Sequence, residues 1–361
     1  MELTQVPRRA RELGLVVGSR ETGPWNAITD VAGVRVGHTT LVEGDDIRTG
    51  VTAIVPDQLD HRRALPAGLF VGNGHGKMVG STQLAELGEI ETPVLLTATL
   101  STFRVADALV SHMLERPGRE SVQSLNPIVA ETNDGYLSDI RARPITAEHV
   151  YAALETASAG LPAEGSVGAG TGTGALGFKG GIGTASRSFT GDTGTAPRSF
   201  TGAGTASRSF TGAGTASREG VVTVGVLVQS NFSGVLRVLG VPIPGRPAEQ
   251  IGNSCVIVVA TDGRFDARQL SRLARRAVFA MGRVGADFAG GSGDYAIAFS
   301  TAEPDGPPLP EAELEPAFAA VLEAVEEALL NSLFMATTTT GFGGHTKIAV
   351  SHERVLRALR L

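Results

Sequence analysis

The chain has 361 residues, of which 42% are hydrophobic and 19% are charged, a composition that predicts a globular protein with a large core. Its formal net charge of −6 disfavours a nucleic-acid partner, because proteins that bind nucleic acid usually have a basic surface. No apolar run in the sequence approaches the roughly 20 residues that span a bilayer, and the N-terminal residues lack the apolar core of a signal peptide. We therefore expect a cytoplasmic protein without membrane contact.

Segments with helical and strand-like apolar spacing alternate along the chain. Apolar side chains recur at three-to-four spacing over residues 103–115 and 147–157, which predicts two helices. Residues 221–232 predict a strand, and the uncharged run 255–260 predicts a second strand that is buried on both faces. A helix beginning near residue 267, a strand DYAIAFST and a helix with an acidic start at EAELEP follow. This alternation predicts a layered α/β domain.

Glycine makes up 47 of the 361 residues, about twice its usual share of roughly 7%, and many of the glycines belong to an internal repeat. Copies of a GTASRSFTG pattern begin at Gly183, Gly194 and Gly204, with a truncated copy at Gly214. The unit is too short for a solenoid repeat. We expect residues 183–218 to form an exposed loop insertion. The less favoured alternative is an anion-binding arm built on the arginines of the copies, Arg187, Arg198, Arg208 and Arg218.

Motifs for cofactors and metals are weak. The segment GTGALG, residues 172–177, has the glycine spacing of a dinucleotide site, but further glycines surround it in place of a strand and a helix. Lys179 is followed by glycine, so the phosphate-loop pattern fails as well. The histidines show no metal-ligand spacing. We therefore expect neither a cofactor nor a metal. His75 and His345 lie in glycine-rich turns and are candidate bases, although such histidines more often bond to turn backbone.

Polar side chains stand at the ends of the predicted strands. Ser254 begins the buried strand, Asn231 ends the strand before it, and Ser292 and Asp294 begin the strand after it. Nucleophilic catalysis needs a rigid hydroxyl, a base and donors for the oxyanion, and a buried strand supplies the rigidity. Each residue also has a purely structural explanation as the end of a strand or a loop. The pattern therefore makes Ser254 a candidate nucleophile and leaves the structural alternative open.

Motifs along nearly the whole chain share one resemblance. They are RARELGL, TGPWNAITDVAGVRVGHTT, ETNDGYLSDIR, GAGTGTGALGFKGGIGTASR, VGVLVQSNFSG and GNSCVIVVATD, in that order. Together they resemble the self-processing peptidase family of L-aminopeptidase/D-esterase and β-peptidyl aminopeptidase. The recopied repeat departs from the family pattern, which affects the geometry of a loop and not the catalytic core. The resemblance implies a four-layer αββα sandwich that resembles N-terminal nucleophile hydrolases with different connectivity.

The resemblance also implies a processing event. A single domain of residues 1–361 would cleave itself between Asn253 and Ser254, giving an α chain, 1–253, and a β chain, 254–361. Ser254 would then be an N-terminal nucleophile, and its own α-amine, with a pKa near roughly 8, is a possible base. This explains the absence of a Ser-His-Asp pattern.

Site roles follow by matching motifs. Asn231 would supply the oxyanion amide, Ser292 and Asp294 would assist proton transfer and orient the nucleophile, and Tyr136 would line the site. The resemblance further implies a tetramer of cleaved heterodimers that acts on small peptides, amides or esters.

An aminopeptidase must also hold the free ammonium of its substrate, and a buried carboxylate does so directly. The ETNDGY turn offers Asp134 as the first choice and Glu131 as the reserve, although both can simply close a turn. Two other function classes remain. One is an acyltransferase of related fold, of the ornithine acetyltransferase kind, which uses a threonine nucleophile. The other is a non-catalytic, glycine-rich ligand-binding protein in which Ser254 is structural.

Overall fold

The structure is a computed structural model that describes residues 5–59, 63–191, 220–245, 253–303 and 306–361. Its strands in chain order are β1 Val34–Glu43, β2 Ile47–Pro56, β3 Leu65–Gly74, β4 Met78–Val79, β5 Glu89–Ile90, β6 Val94–Ala98, β7 Ile128–Thr132, β8 Gly174–Ala175, β9 Phe178–Lys179, β10 Ile182–Thr190, β11 Val221–Asn231, β12 Arg237–Val238, β13 Val241–Pro242, β14 Asn253–Thr261, β15 Ser292–Ser300, β16 Thr339–Thr340 and β17 Thr346–Lys347. Its helices are α1 Ser81–Leu87, α2 Thr102–Leu114, α3 Ala147–Glu155, α4 Ala267–Met281, α5 Leu314–Phe334 and α6 His352–Leu359.

Two large sheets lie face to face within the described ranges. The first sheet has the strand order β1-β2-β6-β7-β4, and the second has the order β10-β11-β14-β15-β3-β5. Apolar side chains from both sheets, including Leu96 and Val256, form one core between them. Helices α4 and α5 pack on the outer face of the second sheet, and α2 and α3 pack on the outer face of the first. This layer order confirms the predicted αββα sandwich.

Strand β14 lies inside the second sheet, antiparallel to β11 and parallel to β15. Its side chains alternate between two cores: Cys255 and Ile257 face the helices α4 and α5, whereas Val256 and Val258 face the first sheet. Because both faces are covered by protein, every position from 255 to 260 is apolar. The predicted buried strand is confirmed.

The helices also follow their sequence signals. Asp266 caps α4, because its carboxylate accepts a hydrogen bond of 2.7 Å from the backbone N–H of Gln269, and the Gln269 side chain accepts one of 3.0 Å from Asp266 N. Helix α5 packs on β10 and β11 with most of its side chains buried. Among the described residues, no helix is both long and apolar enough to cross a membrane.

The first copy of the repeat is not an exposed loop. It forms β10, which pairs antiparallel with β11. Ala185 and Phe189 pack in the core beneath α5, and Arg187 is fully buried in ion pairs with Glu323 and Glu327. Side chains on the same face of this copy recur at every second residue, which is the period of a β-strand, so the copy joins the sheet. The prediction of a loop beginning at residue 183 is therefore wrong, as is an anion-binding role for Arg187. The later copies lie outside the described residues.

Candidate active site

Ser254, Asn231 and Gly293 lie side by side on three adjacent strands. Asn231 on β11 pairs with Ser254 on β14, and Ser254 pairs with Gly293 on β15. Ser254 is only 2% exposed. Its hydroxyl donates a hydrogen bond to the carbonyl oxygen of the preceding residue, Asn253. The predicted nucleophile thus contacts the peptide bond whose cleavage would free its own amine.

Asn231 is oriented by the glycine-rich segment that contains β8. Its Oδ1 atom accepts a hydrogen bond of 3.0 Å from the backbone N–H of Gly174. Gly174 is itself covered by Lys347, since a Cβ atom at Gly174 would lie 3.0 Å from Lys347 Cε. This hydrogen bond fixes the orientation of the Asn231 amide relative to the segment. A fixed amide donor beside a hydroxyl is the arrangement that an oxyanion hole requires.

Ser292 and Asp294 form a bonded pair at the start of β15. Ser292 Oγ donates to Asp294 Oδ1 over 2.7 Å, and Asn73 Nδ2 donates to Asp294 Oδ2 over 2.8 Å. Burial raises the pKa of Asp294, whereas the hydrogen bonds from Ser292, Asn73 and the Cys255 backbone oppose that rise. Asn73, the next-to-last residue of β3, could not be identified from the sequence because it meets β15 only through the pairing of the two strands.

The pair of Ser292 and Asp294 faces one side of the second sheet, and Ser254 faces the other. A Cβ atom at Gly72 would meet both Val278 of α4 and the Cβ atom of Asp294, so Asp294 lies on the α4 side. A Cβ atom at Gly293 would lie 2.5 Å from Gly76 Cα. Gly293 and its partner Ser254 therefore face the space between the sheets. Ser292 and Asp294 adjoin the backbone of β14 rather than the side chain of Ser254.

Glu131 lies on the side of the second sheet that Ser254 faces. It belongs to β7 of the first sheet and is buried. One carboxylate oxygen accepts a hydrogen bond of 2.8 Å from Lys77 N, and the other accepts one from the Thr99 hydroxyl. Burial raises the pKa of Glu131, and these two bonds oppose that rise. Both Glu131 and Gly293 flank Gly76. A Cβ atom placed on Gly76 would lie 3.3 Å from Glu131 Oε1 and 3.0 Å from Gly293 Cα.

Asp134 faces the glycine-rich segment instead. Its Cβ atom packs against Gly172, at 2.8 Å from a Cβ atom placed there. Neither carboxylate oxygen meets a donor in hydrogen-bond geometry among the described residues. Burial raises its pKa to about 7, and the positive charge of Lys179 partly offsets that rise. Lys179 is also buried, which lowers its pKa to about 7. Its Nζ atom donates to two carbonyls of the segment, Gly170 O and Gly180 O, each at 2.9 Å.

Tyr136 stacks on His345, with ring centroids 4.5 Å apart and an interplanar angle of 11°. His345 Nδ1 donates a hydrogen bond of 2.9 Å to the carbonyl oxygen of Tyr136. The Lys347 ammonium lies over the Tyr136 ring, 4.5 Å from its centroid. His345 therefore bonds turn backbone, as histidines in such turns commonly do. His75 contacts Ser292 through backbone, its N–H donating to Ser292 O over 3.2 Å.

The model of peptidase family S58 matches residues 26–198 and 191–347. The β-peptidyl aminopeptidase BapA of Sphingosinicella microcystinivorans is 36% identical over an alignment of 393 positions, which covers 97% of this chain and 91% of that protein. The crystal structure of the PH0078 protein from Pyrococcus horikoshii OT3 is similar, with a TM-score of 0.85, 40% identity and coverage of 98% of this chain and 99% of that one.

A further similar structure is that of the L-aminopeptidase D-Ala-esterase/amidase from Ochrobactrum anthropi. Its TM-score is 0.83 at 34% identity, with 98% of each chain covered. That protein is described as a prototype for the serine aminopeptidases and as a new variant of the Ntn hydrolase fold. These similarities, over nearly the full length of the chain, confirm the resemblance expected from the motifs. The chain belongs to peptidase family S58.

Proposed function

We propose that the chain is a self-processing serine aminopeptidase that releases N-terminal residues from small peptides, amides or esters. The observation that carries this proposal is the contact of the Ser254 hydroxyl with the Asn253 carbonyl, beside the oriented amide of Asn231. The family membership and the aminopeptidases among the relatives support it. The active unit is proposed to be a tetramer of cleaved heterodimers, as the sequence resemblance implies.

Self-processing begins when Ser254 Oγ attacks the carbonyl carbon of Asn253. The Oγ–C bond forms, the C–N bond breaks, and the hydroxyl proton passes to the departing nitrogen of Ser254. An ester between the two residues results. Water then hydrolyses this ester, which leaves a carboxylate on Asn253 and restores the Ser254 hydroxyl. The products are the chains 1–253 and 254–361.

Substrate turnover repeats this chemistry on an external carbonyl. The α-amine of Ser254, with a pKa near roughly 8, accepts the Oγ proton while Oγ attacks the substrate. Asn231 donates a hydrogen bond to the oxyanion. The leaving amine takes the proton, and water releases the acyl group from Ser254. Ser292 and Asp294, which adjoin the β14 backbone, are proposed to hold the α-amine in place.

The substrate ammonium needs a carboxylate near Ser254, and the two candidates differ in where they lie. Glu131 and Gly293, the sheet partner of Ser254, both flank Gly76. Asp134 faces the glycine-rich segment near Lys179. We therefore assign the ammonium to Glu131 and propose that Asp134, the first choice from sequence, stabilises the segment that orients Asn231. Tyr136 is proposed to line the site at the edge of the same turn.

A denaturing gel combined with an activity assay tests this function. Purified protein is expected to give two chains, the smaller of which begins with Ser254 on N-terminal sequencing. The same protein should release p-nitroaniline from the p-nitroanilides of L-alanine or β-alanine. A single intact chain with full activity would contradict the assigned nucleophile. Two chains without hydrolysis of any unblocked amide would contradict the aminopeptidase assignment.

A further inference from the structure

The side chain of Asn253, on the acyl side of the proposed cleavage site, is held by two residues that the mechanism above does not use. Asn253 Nδ2 donates to Ser233 Oγ over 3.0 Å. The Ser233 hydroxyl in turn donates to Asp287 Oδ1 over 2.6 Å. We call Ser233 and Asp287 the Asn253 clamp.

The clamp joins the ends of the two strands that flank β14. Ser233 follows the end of β11, and Asp287 precedes the start of β15. Backbone bonds tie the two segments together: Asp287 N donates to Ser233 O over 3.3 Å, and Val235 N donates to Gly285 O over 3.0 Å. Asp287 Oδ1 also accepts from Ala289 N over 3.2 Å. The clamp is therefore fixed relative to both strands that position Ser254.

We propose that Ser233 and Asp287 are positioning residues for self-processing, an inference that rests on the proposed function and deepens it. The attack of Ser254 needs the Asn253 carbonyl to stay against the hydroxyl, and holding the reacting groups in that geometry lowers the barrier. The hydrogen bond to the Asn253 side chain restrains rotation on the acyl side of the bond. After cleavage Ser254 is no longer attached to Asn253. The clamp then has no role in turnover.

The direction of the hydrogen bonds also selects the residue at position 253. The Ser233 hydroxyl has one proton, and Asp287 accepts it, so the Ser233 oxygen offers only lone pairs to its other neighbour. An amide N–H satisfies those lone pairs. An aspartate at position 253 would place an acceptor against an acceptor, close to the charge of Asp287. The clamp therefore favours Asn253 over an aspartate of nearly the same shape.

Cell-free synthesis of radiolabelled full-length chain, followed by time points on a denaturing gel, tests the clamp. We expect S233A and N253L each to slow processing about 3- to 10-fold, the effect of losing one hydrogen bond. Because both remove the same bond, the double variant should be no slower than the slower single variant. N253D should be slower than N253L. The control is S111A, which removes an exposed hydroxyl bonded to Asp107 O at 3.1 Å and should process at the wild-type rate.

A second measurement separates positioning from general damage. Fully processed S233A enzyme should have the wild-type kcat per cleaved chain. The proposal is overturned if both single variants process at the wild-type rate, if their effects multiply in the double variant, or if processed S233A loses kcat as much as it loses processing rate. A wild-type chain that never cleaves would instead remove self-processing itself. The two failures are therefore distinguishable.

Discussion

Asn231 and Ser254 are direct partners across the antiparallel ladder between β11 and β14. Directly opposed residues in such a ladder point their side chains to the same face, with Cβ atoms about 4.5–5.5 Å apart. The amide and the hydroxyl therefore keep a spacing that is set by backbone hydrogen bonds rather than by loop conformation. The sheet register alone brings together the proposed oxyanion donor and the proposed nucleophile.

Loss of the Asn231 amide should slow turnover strongly. N231A is expected to lower kcat about 10²- to 10³-fold, the usual cost of one oxyanion donor, with a smaller change in KM. Steady-state kinetics on the p-nitroanilide of L-alanine, normalised to the amount of cleaved β chain, measures this. Dialysis against a chelator should leave the wild-type rate unchanged. A normal kcat in N231A would show that the oxyanion is stabilised elsewhere.

The Ser254 hydroxyl should be required for both reactions. S254A is expected to remain one chain of 361 residues without amidase activity, because no atom at this position can attack either carbonyl. S254T keeps a hydroxyl and should still yield some cleaved product at a reduced rate. Intact-mass spectrometry of the purified variants distinguishes these outcomes. Cleavage of S254A at the same bond would mean that another group performs the processing.

Replacing Glu131 should weaken the binding of substrates with a free ammonium. E131Q is expected to raise KM for unblocked p-nitroanilides about 10- to 100-fold through loss of a charge-assisted hydrogen bond. D134N, a matched loss of charge, should change KM little, and N-acetylated substrates should not be cleaved by the wild type. The reverse pattern of KM effects would assign the ammonium to Asp134. Equal rates on acetylated and free substrates would indicate a general amidase or esterase.

Protonation of the Ser254 α-amine should cause the first fall in rate as the pH is lowered, and a second fall at lower pH should report Asp294. This carboxylate must be ionised to accept hydrogen bonds from both Ser292 and Asn73, and burial raises its pKa above the ordinary value of 3.8. The second fall in kcat/KM is therefore expected at a pH above 3.8. N73A removes a donor to the charged form, which raises the pKa further. The second fall of N73A should lie at higher pH than that of the wild type, and an unchanged or lower position would exclude Asp294 as the group that causes it.

Local patterns predicted much of the fold. The apolar spacing of 103–115 and 147–157 anticipated α2 and α3 to within about two residues, the usual uncertainty of helix ends. The pairing of Asp266 with Gln269 anticipated the start of α4. These signals are local because a helix or a cap is completed by residues a few positions apart.

Features that depend on distant parts of the chain could not be predicted. The strand character of the first repeat copy was obscured by its similarity to the later copies, and the partners of Arg187 on α5 are more than 130 residues away. Asn73 meets Asp294 only because β3 pairs with β15. The clamp on Asn253 likewise joins segments that are distant in sequence. The strand formed by the first repeat copy, the contact of Asn73 with Asp294 and the clamp all depend on the order of the strands in the sheet. The apolar pattern of the sequence does not specify that order.

The order of the second sheet determines how the two products of the proposed cleavage would remain associated. All of β15, and β14 apart from its first residue, follow the proposed cleavage site, yet both strands lie between β11 and β3, which precede it. Both outer ladders, β11 with β14 and β15 with β3, therefore become contacts between separate polypeptides. Without the other, neither fragment retains the complete second sheet, the core between the sheets or the core beneath α4 and α5. The cut enzyme should therefore unfold in one cooperative transition, and its two chains should not exchange with those of another molecule under native conditions.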